Sequence, residues 1–417
     1  MSMQQIAVEP TELKTTAELK TYRVLILCAI VILLEGFDIQ AAGVSANKLA
    51  SAFHLTPPDV GTFLAASAVG ILISAVLGGL LAARFGRRPV VVTGVILFGL
   101  FSLSTLFAWA LNSLITARVL TGLGLGAAMP TVIAYASDHS PPHMKKRAVG
   151  FIYCAIPIGG LLSSVVMLAG VFGTDWKPVY LVGGIAPIIV APLLLLLLPR
   201  SLPKAKMNAE PSSSKLNVMA GLFGKGQVGA TVFLWMATFG TLLVMYLLLG
   251  WMPRLFKAIG YTESQAQNVQ ILYNIGASLG AASGGYLLDR KFLYATPITA
   301  YVALAALLAI FGAYQLEFTT VLAVGFGLGI AVTIAQAALY AFAPLCYPAS
   351  MRNTGVGAAV AAGRLGTIVG PLLAGAWRGA GKTPQQVFTF LVPIALLSGL
   401  MAMLVVIMFK KHEKANA

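Results

Sequence analysis

The chain has 417 residues, 58% hydrophobic and only 10% charged. Soluble proteins carry about 25% charged residues, so this composition excludes an ordinary soluble enzyme or a string of globular domains. A net charge of +15 would suggest nucleic acid as the partner of a soluble protein, but in a membrane protein the same excess collects in cytoplasmic loops.

In chain order, residues 1–21 are polar and lack the short apolar core and small-residue cleavage site of a secretory leader, so no cleavable signal is expected. Apolar windows bounded by charges and Pro/Gly breaks then predict twelve helical spans. They lie near 22–46, 59–83, 89–110, 113–137, 148–172, 177–198, 228–251, 265–288, 293–315, 319–343, 354–376 and 386–409. The predicted organisation is a cytoplasmic segment 1–21, a six-helix half 22–198, a linker 199–227, a second half 228–409 and a tail 410–417. The linker holds the solvated run Glu210-Pro-Ser-Ser-Ser-Lys215.

Six basic residues fall in outer loops (Lys48, Lys177, Arg254, Lys257, Arg378, Lys382), two inside spans, and the other twenty on the inner side. That bias predicts both termini in the cytoplasm. The halves also repeat. Gly78-Gly79-Leu-Leu-Ala-Ala-Arg84 returns as Gly284-Gly285-Tyr-Leu-Leu-Asp-Arg290, 206 residues later, and the same shift carries Gly70 to Gly276. Arg147 and Gly150 match Arg352 and Gly355. Two six-helix halves around a midplane site form the arrangement expected of a secondary transporter.

No metal or cofactor is expected. The histidines lie outside the spans, and Cys28, Cys154 and Cys346 lack metal-ligand spacing and read as core residues. Gly276-Ala-Ser278-Leu-Gly280 imitates a nucleophile elbow, but it lies mid-span with no strand before it. Gly379-Ala-Gly381-Lys382-Thr383 ends like a phosphate loop, yet Ala376 stands where the first glycine belongs. The chain therefore reads as neither an enzyme nor an ATP-driven pump.

Gly79-Leu-Leu-Ala-Ala-Arg84-Phe-Gly86-Arg87-Arg88 resembles the loop 2–3 signature of the major facilitator superfamily, and Arg118-Val-Leu-Thr-Gly122-Leu-Gly124-Leu-Gly126 with Pro130 resembles its span 4 motif. Glu35-Gly-Phe-Asp38-Ile-Gln-Ala-Ala-Gly43 is similar to the first span of the aromatic acid:proton symporter family. Tyr340-Ala-Phe-Ala-Pro344, Arg352-x-x-Gly355-x-Gly357 and Gly363-Arg364-Leu-Gly366 look closest to its 3-(3-hydroxyphenyl)propionate branch. The resemblance implies an all-α major facilitator fold in a bacterial inner membrane, acting as a monomer on a small aromatic carboxylate and protons. It also implies a cytoplasmic gate built from Arg84, Gly86, Arg87, Arg88, Arg147, Asp289, Arg290 and Arg352. Two positions depart from the pattern: Ala83 replaces the usual Asp of loop 2–3, and Pro199-Arg200-Ser201 replaces Pro-Glu-Ser.

Away from the span edges, where Arg23, Asp59 and Lys177 lie, only Glu35, Asp38, Arg118 and Arg364 carry full charge inside the spans. Each costs at least about 2.5–3.5 kcal/mol at the bilayer centre, so each needs a reason. A rise of about 1.5 Å per residue puts Arg118 close to Asp38 in depth and Arg364 near the midplane. One reading assigns proton coupling to Glu35 and Asp38, which share a helix face, and substrate carboxylate binding to Arg364, whose planar fork suits bidentate pairing. The other makes Asp38–Arg118 a permanent helix-to-helix pair and Arg364 a cap for helix carbonyls. Arg118, Gln40, Tyr153, Asn274, Gln336 and Tyr340 complete the candidate substrate site as stacking surfaces and hydrogen-bonding partners. Gly122-x-Gly124-x-Gly126 and Gly355-x-Gly357 are expected to let helix backbones approach closely. Three functions fit: a proton-coupled importer of a phenylpropanoid acid, a proton-antiport exporter of amphipathic compounds, and a non-transporting receptor.

Overall fold

A computed structural model of the protein describes residues 10–141, 145–170, 175–199, 222–224, 227–287, 295–347 and 351–416. Among these residues there is no strand. The long helices are α1 (Pro10–Ala52), α2 (Pro57–Phe85), α3 (Arg87–Ser104), α4 (Leu111–Asp138), α5 (Lys145–Ala169), α6 (Lys177–Leu197), α7 (Val228–Ile259), α8 (Glu263–Leu287), α9 (Ala295–Ala313), α10 (Phe318–Phe342), α11 (Arg352–Gly379) and α12 (Pro384–Asn416). Eleven are long and apolar enough to cross a membrane. The other, α8, has 25 residues, but Gln265, Gln267, Asn268, Gln270 and Asn274 dilute its hydropathy.

The predicted spans coincide with these helices, but α1, α7 and α12 are longer than expected. Helix α1 starts at Pro10 and ends later, at Ala52, and α7 runs beyond the expected 251 to Ile259, carrying Arg254 and Lys257 on its last turns. Helix α12 runs to Asn416, through most of the predicted tail 410–417. Gly260 stops α7 in a left-handed conformation (φ 117°) that a Cβ would disfavour. Three helix starts at one end are fixed by the same device. Thr56, Thr262 and Thr383 exchange hydrogen bonds with Asp59, Gln265 and Gln386 three residues on, satisfying amides that would otherwise be orphaned. We call this end outer, following the basic-residue bias.

Packing repeats the sequence repeat. Helix α1 packs on α5 and α6, α2 on α4, and α3 on α4 and α6; six helices later, α7 packs on α11 and α12, α8 on α10, and α9 on α10 and α12. Gly70 abuts the backbone of Gly122 on α4, and its counterpart Gly276 abuts that of Phe326 on α10. The halves meet through α2–α11 and α5–α8, themselves a symmetry-related pair, and through α1–α7. In the span 4 motif, Gly122 and Gly126 face α2 while Gly124 faces α3, so alternate glycines serve two neighbours. The expectation fails for Gly355 and Gly357. The atoms nearest a Cβ at Gly355 belong to the Tyr347 ring, and one at Gly357 meets nothing within 4 Å among the described residues, so neither glycine marks a close approach of two helix backbones there. Leu80, Leu196 and Phe107 face outward among the most exposed apolar side chains, with Trp109 and Tyr314 near the outer ends of α3 and α9, where interfacial aromatics belong.

Candidate functional site

The two acids of α1 sit in different surroundings. Between them, Gly36 crosses α5 so closely that a Cβ would lie 2.7 Å from the Ile156 Cα, and this holds α1 against its neighbour. Asp38 is fully buried and saturated. Arg118, equally buried, donates to both carboxylate oxygens at 3.0 and 3.2 Å and to the Asp38 carbonyl at 3.0 Å. Ser102 on α3 adds a fourth bond at 2.7 Å. The guanidinium lies 5.8 Å from the Tyr180 ring centre, and the Tyr180 hydroxyl bonds Ser45 at 3.0 Å. The arrangement joins α1, α3, α4 and α6 through one neutral, hydrogen-bonded ion pair.

Glu35 is also fully buried, yet neither carboxyl oxygen has a hydrogen-bond partner among the described residues. The cation facing it is Arg364 on α11 of the other half, which also senses Tyr153, Tyr246 and Tyr340 electrostatically. Arg364 is only half-buried and has no carboxylate within ion-pair distance among the described residues. Its one side-chain contact at hydrogen-bond distance among the described residues is the Met129 sulfur on α4, at 3.2 Å. It therefore does not cap helix carbonyls. Tyr153 and Tyr340 face each other across the halves with ring centres 6.4 Å apart, and Gln336 donates to the Tyr340 hydroxyl at 3.2 Å. The result is one guanidinium, three phenols, an amide and an unpaired carboxyl converging from both halves.

Tyr246 was not among the sequence candidates because it lies in the apolar run Leu242-Leu-Val-Met-Tyr246-Leu-Leu-Leu249 and reads as core. The repeat held the missing signal, since the shift of 206 places Tyr246 on Gln40. Ser102 gave no signal of its own.

Gln40 and Asn274 bond each other rather than facing the phenol cluster. Each amide donates to the other's oxygen at 2.9 Å, and Gln270 adds a third bond to Gln40 at 2.9 Å. Further out, Gln267 donates to the Val44 carbonyl at 2.9 Å and Asn47 to Glu263 at 3.4 Å. Positions 40, 44 and 47 of α1 thus meet 274, 267 and 263 of α8 in antiparallel register. This polar seam closes the two halves on the outer side of the site. It also accounts for Asn274 where the first half has Ala68.

At the inner end, Arg87 donates to the Ala134 carbonyl at 2.6 Å and pairs with Asp138, and Arg88 bonds the Leu195 carbonyl. Both tie α3 to α4 and α6 within one half, and Asp138 supplies a carboxylate although Ala83 does not. Gly86 takes φ 89° between α2 and α3, a conformation suited to glycine. Arg84 and Arg352 are exposed, with Arg84 over the Phe85 ring. Asp289, Arg290 and the Arg147 side chain lie outside the described residues.

A profile of the Major Facilitator Superfamily matches residues 28–314 and again 234–417. The chain belongs to that superfamily. Within it, the chain is similar to a 3-(3-hydroxyphenyl)propionate transporter of Escherichia coli K12, 40% identical over 90% of this chain and 91% of that one. It is 31% identical to a gallate transporter of Pseudomonas putida over 88% of each chain, and 31% identical to a 4-hydroxybenzoate transporter of Pseudomonas aeruginosa over 90% of each. The same fold occurs in a bacterial homologue of the lysosomal transporter Spinster (TM-score 0.74, 16% identity, 94% of this chain and 98% of that one). It recurs in a D-xylose–proton symporter (TM-score 0.70, 18% identity, 90% and 97%). The chain is thus a multi-pass membrane transporter by family, not an enzyme.

Proposed function

We propose that this superfamily member imports an aromatic carboxylate together with a proton across the bacterial inner membrane, both termini facing the cytoplasm. The preferred cargo is a phenylpropanoid acid such as 3-(3-hydroxyphenyl)propionate or a hydroxycinnamate. The observation that carries this reading is Arg364: a guanidinium with no carboxylate at ion-pair distance among the described residues, within electrostatic reach of Tyr153, Tyr246, Tyr340 and of Glu35, whose oxygens have no hydrogen-bond partner there. A substrate carboxylate takes the fork of Arg364 in two parallel bonds. Its ring stacks among the phenols, and Gln336 with Tyr340 meets a ring hydroxyl. The names of the relatives support a hydroxylated aromatic acid.

Coupling follows from charge. With Glu35 ionised, its charge and that of Arg364 sum to zero. Entry of a carboxylate would leave one uncompensated negative charge in a buried site, which is strongly disfavoured. A proton on Glu35 restores neutrality, so substrate and proton enter together, one for one. The seam between α1 and α8 opens to the outside and reseals as the halves rock around the site. Uptake of a panel of labelled aromatic acids by cells carrying the protein, with and without an uncoupler, tests the reading. Accumulation of phenylpropanoid acids that collapses with the uncoupler supports it; accumulation indifferent to the uncoupler, or no uptake of any aromatic acid, overturns it.

A further inference from the structure

The outer end holds a second group of cations that the central site does not use. A pocket of about 310 Å³ opens between the halves, lined by Asn47, Ser51 and Leu55 on one side and Arg254, Lys257 and Arg378 on the other. Lys257 is paired with Glu263 at 2.8 Å. Arg254 and Arg378 have no carboxylate at ion-pair distance among the described residues. Arg254 makes one long bond, 3.4 Å, to the Ala46 carbonyl and lies 6.0 Å from the Trp251 ring centre, while Arg378 bonds the Lys382 carbonyl. A guanidinium has five N–H donors in a fixed fork, so both retain unused donors towards the pocket. Three cations against one anion leave the pocket positive, and Leu55 gives it an apolar wall. Its volume is at the small end of the roughly 300–1,000 Å³ range for ligand pockets.

We propose that this pocket is a second binding site, for a small organic carboxylate, and that its occupation holds the outer end closed. Both halves supply its walls. A ligand that touches both binds only while they are together, and therefore favours that state over the outward-open one. Carboxylate at high external concentration then slows the import that it drives at low concentration. The ligand class rests on the proposed transport of carboxylates; the pocket and its charge do not.

Equilibrium binding of labelled 3-phenylpropionate to the purified full chain, with initial uptake rates over a wide external concentration range, tests this. The parent protein should show two classes of site and an uptake rate that falls at high external acid. Arg254→Gln with Arg378→Gln should weaken the salt-sensitive class at least about tenfold, the scale of one charge-assisted bond, and abolish the fall. Arg378→Gln alone, at the half-buried rim, should do so in part if the double variant folds poorly. Arg364→Lys should weaken the other class only; if it alters neither while the rim variants remove the salt-sensitive one, the central-site reading fails and this one stands. A single class in the parent, rim variants that bind unchanged, or displacement by sulfate as effective as by carboxylate at matched ionic strength overturns the outer site.

Discussion

Asp38 and Glu35 are three residues apart on one helix, yet the structure predicts opposite consequences for neutralising them. Asp38 accepts two bonds from Arg118 and one from Ser102, and donor and acceptor are both fully buried. Asp38→Asn removes the charge and leaves the Arg118 guanidinium uncompensated, a change that costs about 3–5 kcal/mol for a buried pair. At about 1.4 kcal/mol per tenfold, that lowers the folding equilibrium by roughly two to three and a half orders of magnitude. Glu35→Gln has no hydrogen bond to lose, and the Arg364 facing it is half-buried and not in ion-pair contact, so its cost should stay within about 1 kcal/mol, the worth of a single ordinary bond. Thermal unfolding of the purified variants reads the first difference. Proteoliposomes with an imposed pH gradient read the second: Glu35→Gln should exchange labelled for unlabelled acid but not accumulate it, because exchange needs no net proton movement. If Glu35→Gln still concentrates substrate, or if the two variants lose equal stability, the division of labour between the acids is wrong.

Arg364→Lys keeps the charge and loses the fork; carboxylate binding should weaken by about 1.5–3 kcal/mol, and equal affinity of the parent for an acid and its amide would exclude the clamp. Tyr246→Phe removes a hydroxyl within electrostatic reach of Arg364; if that hydroxyl bonds the bound acid, the change should cost about 0.5–1.5 kcal/mol in the same titration, whereas an unchanged affinity would leave Tyr246 a packing residue. Exchanging the pair, Asp38→Arg with Arg118→Asp, should regain only part of the stability lost in either single change, since Ser102 and the Asp38 carbonyl are placed for the native polarity; full recovery in thermal unfolding would count against that. Gln40→Leu should release the outer seam and raise the outward-open population, read as longer distances between spin labels on the outer ends of α2 and α11, and unaltered distances would show the amides to be incidental.

Much of this architecture is legible in one dimension because the bilayer imposes it. Spans of about 20 apolar residues and the few charges in otherwise apolar helices follow from the cost of exposing polar groups to hydrocarbon, and the 206-residue repeat shows the two halves directly. Depth is legible too: helical rise alone placed Arg118 level with Asp38, and they meet at 3.0 Å. What depth cannot specify is rotation about each helix axis and the identity of the neighbouring helix. Those decide that Gln40 and Asn274 bond each other, that Tyr246 comes within electrostatic reach of Arg364, that Arg87 finds Asp138, and that one acid of α1 is saturated while the other has no partner among the described residues. Sequence spacing determines how far along a helix a side chain lies; only the packed bundle decides what stands opposite it.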